Sequence, residues 1–279
     1  MTRRGLREVI VEGAAKVNLG WRVGAKRDDG FHEVDGRIQT ISLTDRLVLR
    51  SGEVGWSFEV PGHPELEGDD NLVRKAAVAL SERLSDVPPT HVVLEKRIPI
   101  AAGLGGGSAD AAAALVGLNT LWGLGLSAKE LLAIGADIGS DVPAILVGGL
   151  VHATGRGADV RSVGCFDGGW FVIGAGAEHV SAGDAYAAFA RVGGSDRTDD
   201  YANDLEPAAC ELLPGLGERL AAMREAAGAA FVSGSGPTVV GLVADEAAAR
   251  SVVATVASHF SEVHVAGPSE WGVRLTLGS

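Results

Sequence analysis

The stretch from Arg97 to Asp110, Arg-Ile-Pro-Ile-Ala-Ala-Gly-Leu-Gly-Gly-Gly-Ser-Ala-Asp, sets the strongest limit on what this chain can fold into. A β-like run from His91 to Ile98 enters a loop with four glycines in five positions, and an alanine-rich segment, Ala109 to Leu121, leaves it as a helix. Glycines bring backbone close to a ligand and reach positive φ. The first N–H groups of a helix lack internal partners, and the helix dipole favours an anion there. A phosphate cradle is therefore expected, with a purely structural turn as the plainer alternative. Gly107 and Ser108 have no lysine between them, so the loop is not a Walker A loop. The dinucleotide fingerprint fails as well, because its sixth position falls on Ser108 or Asp110 instead of glycine.

The 279 residues are enough for a large core and two domains. Aromatics make up only 5%, so Val, Leu, Ile and Ala must fill that core. A net charge of -12 argues against a nucleic-acid or anionic-membrane binder, though not against a local basic pocket. Cys165 and Cys210 offer no disulfide framework and no metal spacing, and read as buried thiols. The basic start, Thr2-Arg3-Arg4, has no apolar segment behind it, and no apolar run reaches membrane-spanning length. A cytoplasmic protein is expected.

Residues 8–23 read as a strand or a pair of strands, with Val17, Leu19, Trp21 and Val23 on one face and Lys16 and Asn18 on the other. Asp28-Asp29-Gly30 is a turn signal. Residues 37–50 and 54–60 look β-like, and Asn71 to Leu84 helical. Ser127 and Glu130 form a capping box for a further helix. In the second half come a strand at Trp170 to Ala175, a helical stretch at Ala182 to Arg191 and a helix-rich region from Asp204 to Ala227. Two strands follow around Ser233-Gly234-Ser235-Gly236-Pro237, then a helix from Asp245 to His259 and two short strands. Helices mixed with β hairpins indicate α+β, with a domain change near 155–165.

Phosphoryl transfer needs cations and a group to receive the acceptor's proton. Lys16, beside Asn18 on a short polar face, is the best cation, although a surface lysine is equally consistent with the pattern. Asp141, in a small-residue turn before Pro143, is the best base candidate, against a plain turn-forming role. A lysine next to an aspartate keeps the carboxylate charged. Phe31-His32 could hold a flat ring by stacking and hydrogen bonding. Gly234-Ser235-Gly236 is a weaker second phosphate or substrate loop.

The order of these elements resembles the GHMP small-molecule kinases: Ala15-Lys16-Val17-Asn18-Leu19, Gly30-Phe31-His32, the loop to Asp110, Gly139-Ser140-Asp141-Val142-Pro143 and Ser233-Gly234-Ser235-Gly236-Pro237-Thr238. Within that family the resemblance is to members that phosphorylate the 2-hydroxyl of a cytidine-diphosphate-linked methylerythritol for isoprenoid synthesis. It implies a two-domain GHMP kinase, with an N-terminal ATP-binding domain like ribosomal protein S5 domain 2 over 1–157 and a ferredoxin-like C-terminal domain over 158–279. It also implies ATP and magnesium, a small-molecule acceptor, no nucleic-acid or membrane partner, and a monomer or weak homodimer. Asp141 matches the family's base and Lys16 its partner. Asn18 lies near the acceptor. Phe31 and His32 match the cytosine-holding pair, Tyr186 the second stacking aromatic, and Gly234 and Ser235 fall on the substrate side. Asn71, Lys96 and Asp110 fall near the adenine site. Gly103, Leu104, Gly105, Gly106, Gly107 and Ser108 wrap the ATP phosphates, with Ser108 a candidate magnesium ligand. Ala101 stands where glycine is common, Ala182 replaces a common threonine, and the segment 187–202 is short for the family. Homoserine or mevalonate kinases are the nearest alternatives, although their acceptors carry no base for Phe31 and His32 to hold. A non-catalytic nucleotide binder is another alternative, against which Lys16 and Asp141 both speak.

Overall fold

The computed structural model describes residues 7–277. It is built on two sheets. The first starts with β1 (Glu8–Lys26) and β2 (His32–Ser51), antiparallel and joined at the Asp28-Asp29-Gly30 turn. Gly30 there has φ +87°, and the Asp29 carboxylate accepts the Phe31 N–H at 3.1 Å. The sequence left open one strand or two over 8–23, and the chain forms one. It bends at register shifts between Ala14 and Lys16 and between Asn18 and Trp21. β3 (Trp56–Glu59) runs parallel to β4 (Thr90–Glu95), which pairs with the far half of β2. β5 (Leu150–Gly155) pairs with the near half of β2, and β6 (Asp159–Gly164) pairs with β5. The first sheet thus continues past residue 157 to Gly164.

The second sheet holds β7 (Trp170–Ala175), β8 (Ala229–Val232), β9 (Val239–Val243) and β10 (Glu262–Ala266), all antiparallel, in the order β10-β7-β9-β8. Helices lie between β7 and β8 and between β9 and β10, which is the ferredoxin-like alternation. A last strand, β11 (Val273–Leu277), returns to the first sheet and pairs with β1.

The helices of the first half are α1 (Leu72–Ser81), α2 (Gly106–Leu121), α3 (Ala128–Ile138) and α4 (Val142–Val147). α3 carries the expected capping box of Ser127 and Glu130. α2 is buried nearly all round, with Ala111 to Leu115 fully enclosed, as an alanine-rich helix without a polar face requires. Gly117 lets it press on the sheet, since a Cβ there would sit 2.6 Å from a Leu49 methyl. α2 starts three residues before the expected Ala109, so Gly106, Gly107 and Ser108 form its first turn. In the second half α5 (Ala182–Val192) packs on α6 (Glu206–Leu212) and sets Tyr186 and Phe189 against Trp21 and Val34 of the first sheet, while α6, α7 (Leu216–Ala227) and α8 (Glu246–Val256) pack on the smaller sheet. One apolar cluster joins Val9 and Leu47 of the first sheet to Phe171, Ile173, Phe231 and Val240 of the second. Cys165 and Cys210 are half-buried and free.

Candidate active site

The bend in β1 places Lys16 and Asn18. The Lys16 N–H donates to the Leu104 carbonyl at 2.9 Å, and the Asn18 N–H donates to Ser233 Oγ at 3.1 Å. The strand is thereby clamped between the glycine loop and the turn that joins β8 to β9. The expected polar face is not solvated: Lys16 is 5% exposed, with its stem against Gly105 of the glycine loop and its ammonium near Gly234 of the second sheet's turn. Its ammonium donates to Asn18 Oδ1 at 2.8 Å and lies 3.1 Å from Asp141 Oδ2. Asp141 precedes α4 but makes no side-chain cap hydrogen bond, so its carboxylate is not consumed by the turn.

Gly105, in the left-handed region at φ +70°, is the N-cap of α2, and a Cβ on it would lie 2.9 Å from Lys16 Cγ. The N–H groups of Gly106, Gly107 and Ser108 stand in the first turn, where the helix supplies no acceptors. Leu104 itself is buried and can offer a ligand only backbone. Gly103 packs against the Gly236 carbonyl, and Thr238 Oγ1 donates to the Ala102 carbonyl at 2.5 Å, so the Gly234-Ser235 turn lies directly against the glycine loop. Ala101, where a glycine is common, does adopt a glycine-like φ of +57°.

This loop walls a cavity of about 510 Å³, which Asn71, Lys96 and Asp110 also line. The Asn71 amide is occupied by backbone: Oδ1 accepts from Val73 at 2.9 Å and Nδ2 donates to Leu66 at 2.7 Å. Lys96 is pinned between two aspartates, Asp45 at 2.5 Å and Asp110 at 2.7 Å. Burial alone would lower the Lys96 pKa, but the charges of Asp110 and Asp45 outweigh it and raise it. Asp45 also accepts the N–H groups of Arg97 and Ile98. Asp110 Oδ1 is enclosed without a hydrogen-bond partner. Burial pushes the Asp110 carboxyl well above its ordinary range; Lys96 opposes the rise and Asp45 adds to it.

A second cavity, of about 770 Å³, is lined by Asn18, Phe31, His32, Tyr186, Gly234 and Ser235 among others. His32 and Tyr186 face each other with ring centroids 5.4 Å apart and planes 18° from parallel, so the two expected ring-holders are stacked on one another. Phe31 stands apart, 52% exposed. His32 Nδ1 faces the Gly24 carbonyl at 3.1 Å; a carbonyl only accepts, so Nδ1 carries a proton and Nε2 is left free. Trp21 Nε1 donates to the Tyr186 hydroxyl at 3.1 Å, and burial raises that phenol's pKa against this bond's pull.

The two cavities share Lys16, Ser108, Asp141, Ala182 and Ser235. All the residues singled out from the sequence line one cavity or the other. Sequence reasoning missed Asp45, whose partners lie far along the chain, and Asn203, which is 2% exposed. Asn203 Nδ2 donates to the carbonyls of Val232 and Gly234 at 2.8 and 2.7 Å and so fixes the Gly234-Ser235 turn. Neither residue belongs to a local motif that could have pointed to it.

A glycine loop at a helix N-terminus, a buried lysine paired with a partly exposed aspartate at a cavity junction and a ferredoxin-like second sheet define a small-molecule kinase of the GHMP type. The family models agree. The GHMP kinases N terminal domain matches residues 71–149 and the GHMP kinases C terminal domain residues 185–262, so the chain belongs to this family. Its relatives include the 4-diphosphocytidyl-2-C-methyl-D-erythritol kinase of Salinispora arenicola, 43% identical over 266 residues, covering 85% of this chain and 84% of that one. The kinase of the same name from Moorella thermoacetica is 35% identical, covering 90% and 95%. A crystal structure of 4-(cytidine 5'-diphospho)-2C-methyl-D-erythritol kinase superposes with a TM-score of 0.79 at 30% identity, covering 93% of this chain and all of that one. A homoserine kinase from Cytophaga hutchinsonii shares the fold, with a TM-score of 0.75 at 19% identity. Among the described residues no helix is long and apolar enough to cross a membrane.

Proposed function

We propose that the chain transfers the γ-phosphoryl group of ATP to the 2-hydroxyl of 4-diphosphocytidyl-2-C-methyl-D-erythritol. The observation that carries this reading is the Lys16–Asp141 pair, which lies where the two cavities meet. A group passing between a donor in one cavity and an acceptor in the other crosses that point. The glycine-loop cavity suits the donor, because backbone N–H groups at a helix N-terminus bind phosphate and a side chain on Gly105 would block the approach. The larger, more aromatic cavity suits a cytidine-bearing acceptor.

Asp141 accepts the proton of the acceptor hydroxyl as that oxygen bonds to the γ-phosphorus and the bond to the bridging oxygen of ADP breaks. The Lys16 ammonium orients the carboxylate and supplies positive charge where the phosphoryl group passes, while Asn18 fixes the ammonium. Phosphoryl transfer asks a protein mostly for such positioning and charge. Phe31 offers the base a ring face, and His32 Nε2 offers it an acceptor.

Magnesium, when bound, neutralises nucleotide phosphate charge. Among the described residues no group of three or more His, Cys, Asp or Glu could hold an ion, and Asp110 is turned to Lys96. The donors present fit an ion carried by the nucleotide's own phosphates, with the Ser108 hydroxyl added. The test is ATP consumption with three acceptors: the cytidine-linked methylerythritol, mevalonate and homoserine. Turnover is expected with the first. Turnover only with another acceptor, or nucleotide binding with no turnover, overturns the proposal.

A further inference from the structure

The two cavities differ in charge. The glycine-loop cavity sets Lys16 and Lys96 against the carboxylates of Glu65, Asp70, Asp110 and Asp141. The larger cavity sets Lys16, Lys26 and Arg156 against Asp141 alone. In a chain of net charge -12, that local excess of cations needs an explanation. Lys16 is already engaged by Asn18 and Asp141. The Lys26 ammonium is exposed at the end of β1 and makes no hydrogen bond or ion pair with the described residues.

Arg156 is different. It sits at the turn between β5 and β6, with its guanidinium carbon 5.9 Å from the centroid of the Phe31 ring. Nη2 donates to the Ala136 carbonyl at 3.2 Å, which steadies the side chain without neutralising it. Asp29, on the same turn as Phe31, pairs directly with Arg27, and Arg156 acts on its carboxylate only through space. A ring platform and a planar cation that makes no ion pair among the described residues therefore stand side by side in the acceptor cavity. A guanidinium presents a fork of N–H donors that matches phosphate oxygens.

We infer that Arg156 is a specificity-determining residue that holds the diphosphate of the acceptor next to the base on Phe31. This rests on the function proposed above. The test is calorimetric binding of CDP and of cytidine to the wild-type chain and to Arg156→Gln, Arg156→Lys and Lys26→Gln. Arg156→Gln is expected to bind CDP at least about tenfold more weakly, the factor that one lost charge-assisted hydrogen bond carries, and cytidine as the wild type does. Arg156→Lys keeps the charge without the fork and is expected to recover part of the loss. In turnover, KM for the acceptor rises with the CDP dissociation constant, while kcat and KM for ATP hold. Arg156→Gln that binds CDP like the wild type, or loses CDP and cytidine equally, overturns the inference, as does a CDP loss carried by Lys26→Gln instead. A wild-type chain that binds neither ligand overturns the functional proposal itself, whereas wild-type preference for CDP that survives Arg156→Gln overturns only the role of Arg156.

Discussion

Asp141 and Asp110 show what environment does to one side-chain type. Asp141 is partly exposed, spared from capping, and set against a buried ammonium. Replacing it with Asn keeps its shape and removes a proton acceptor. Asp141→Asn is expected to lower kcat by roughly 10²–10⁴-fold with ATP affinity retained, read by steady-state kinetics and nucleotide titration. Asp110, at 3% exposure, is enclosed with one oxygen unpartnered. Its carboxyl is raised above the ordinary 3.8, first by burial. The folded protein therefore holds a proton that the unfolded chain has released, and this group's share of the stability is lost as pH climbs from the unfolded value through the folded one. Asp110→Asn removes that slope and the ion pair with Lys96, while its amide oxygen can still accept from the Lys96 ammonium. The cost of Asp110→Asn is expected to shrink in urea unfolding as pH rises above the ordinary carboxylate range. A cost that grows with pH would mean that the folded carboxyl titrates low.

The informative element is the unit of β4, glycine loop and α2. Its order is legible from the residues because each part is local: a β-branched run, glycines, then alanines. The start of α2 is not, because whether Gly106 and Gly107 turn helically depends on Gly105 taking a left-handed φ against Lys16. The glycines accordingly differ in what they tolerate. Gly105→Ala forces a side chain into positive φ and onto the Lys16 stem, and is expected to cost roughly 1–2 kcal/mol of stability together with much of kcat. At Gly107 a Cβ meets nothing nearer than Leu72 at 3.7 Å. Gly107→Ala is expected to leave the melting temperature nearly unchanged and to raise KM for ATP, if this turn faces phosphate. Calorimetry and kinetics on the pair of variants separate the two effects. The bends of β1 are likewise invisible in its alternation, since they follow from hydrogen bonds to Leu104 and Ser233.

At the scale of the whole molecule, the two sheets are tied by a shared apolar cluster, by the return of β11 to β1 and by the Thr238–Ala102 hydrogen bond. Units joined through one core unfold together, so a single calorimetric transition is expected, with agreement between the calorimetric and van't Hoff enthalpies. Two resolved transitions would show that the sheets are independent. Asn203 acts at the same scale, because it holds the Gly234-Ser235 turn against the site from elsewhere in the chain. Asn203→Ala leaves the buried Val232 carbonyl and the partly buried Gly234 carbonyl without this donor and is expected to cost about 2–3 kcal/mol, with a fall in kcat as Ser235 loses its place.

The residues alone indicate an α+β chain with a glycine loop at a helix N-terminus, a type of loop suited to phosphate, and their order along the chain points to the family, because loops, caps and alternation are short-range properties. Lys16, Asp141, Phe31 and His32 were legible as types of residue suited to the chemistry. Their assembly was not. That Lys16 is buried and paired, that His32 stacks on Tyr186, that Asp45 and Asp110 hold Lys96, and that Arg156 lies against Phe31 depend on contacts between residues far apart in sequence. Such contacts are set by how two sheets close on each other, and a one-dimensional pattern carries burial only by periodicity, not by partner.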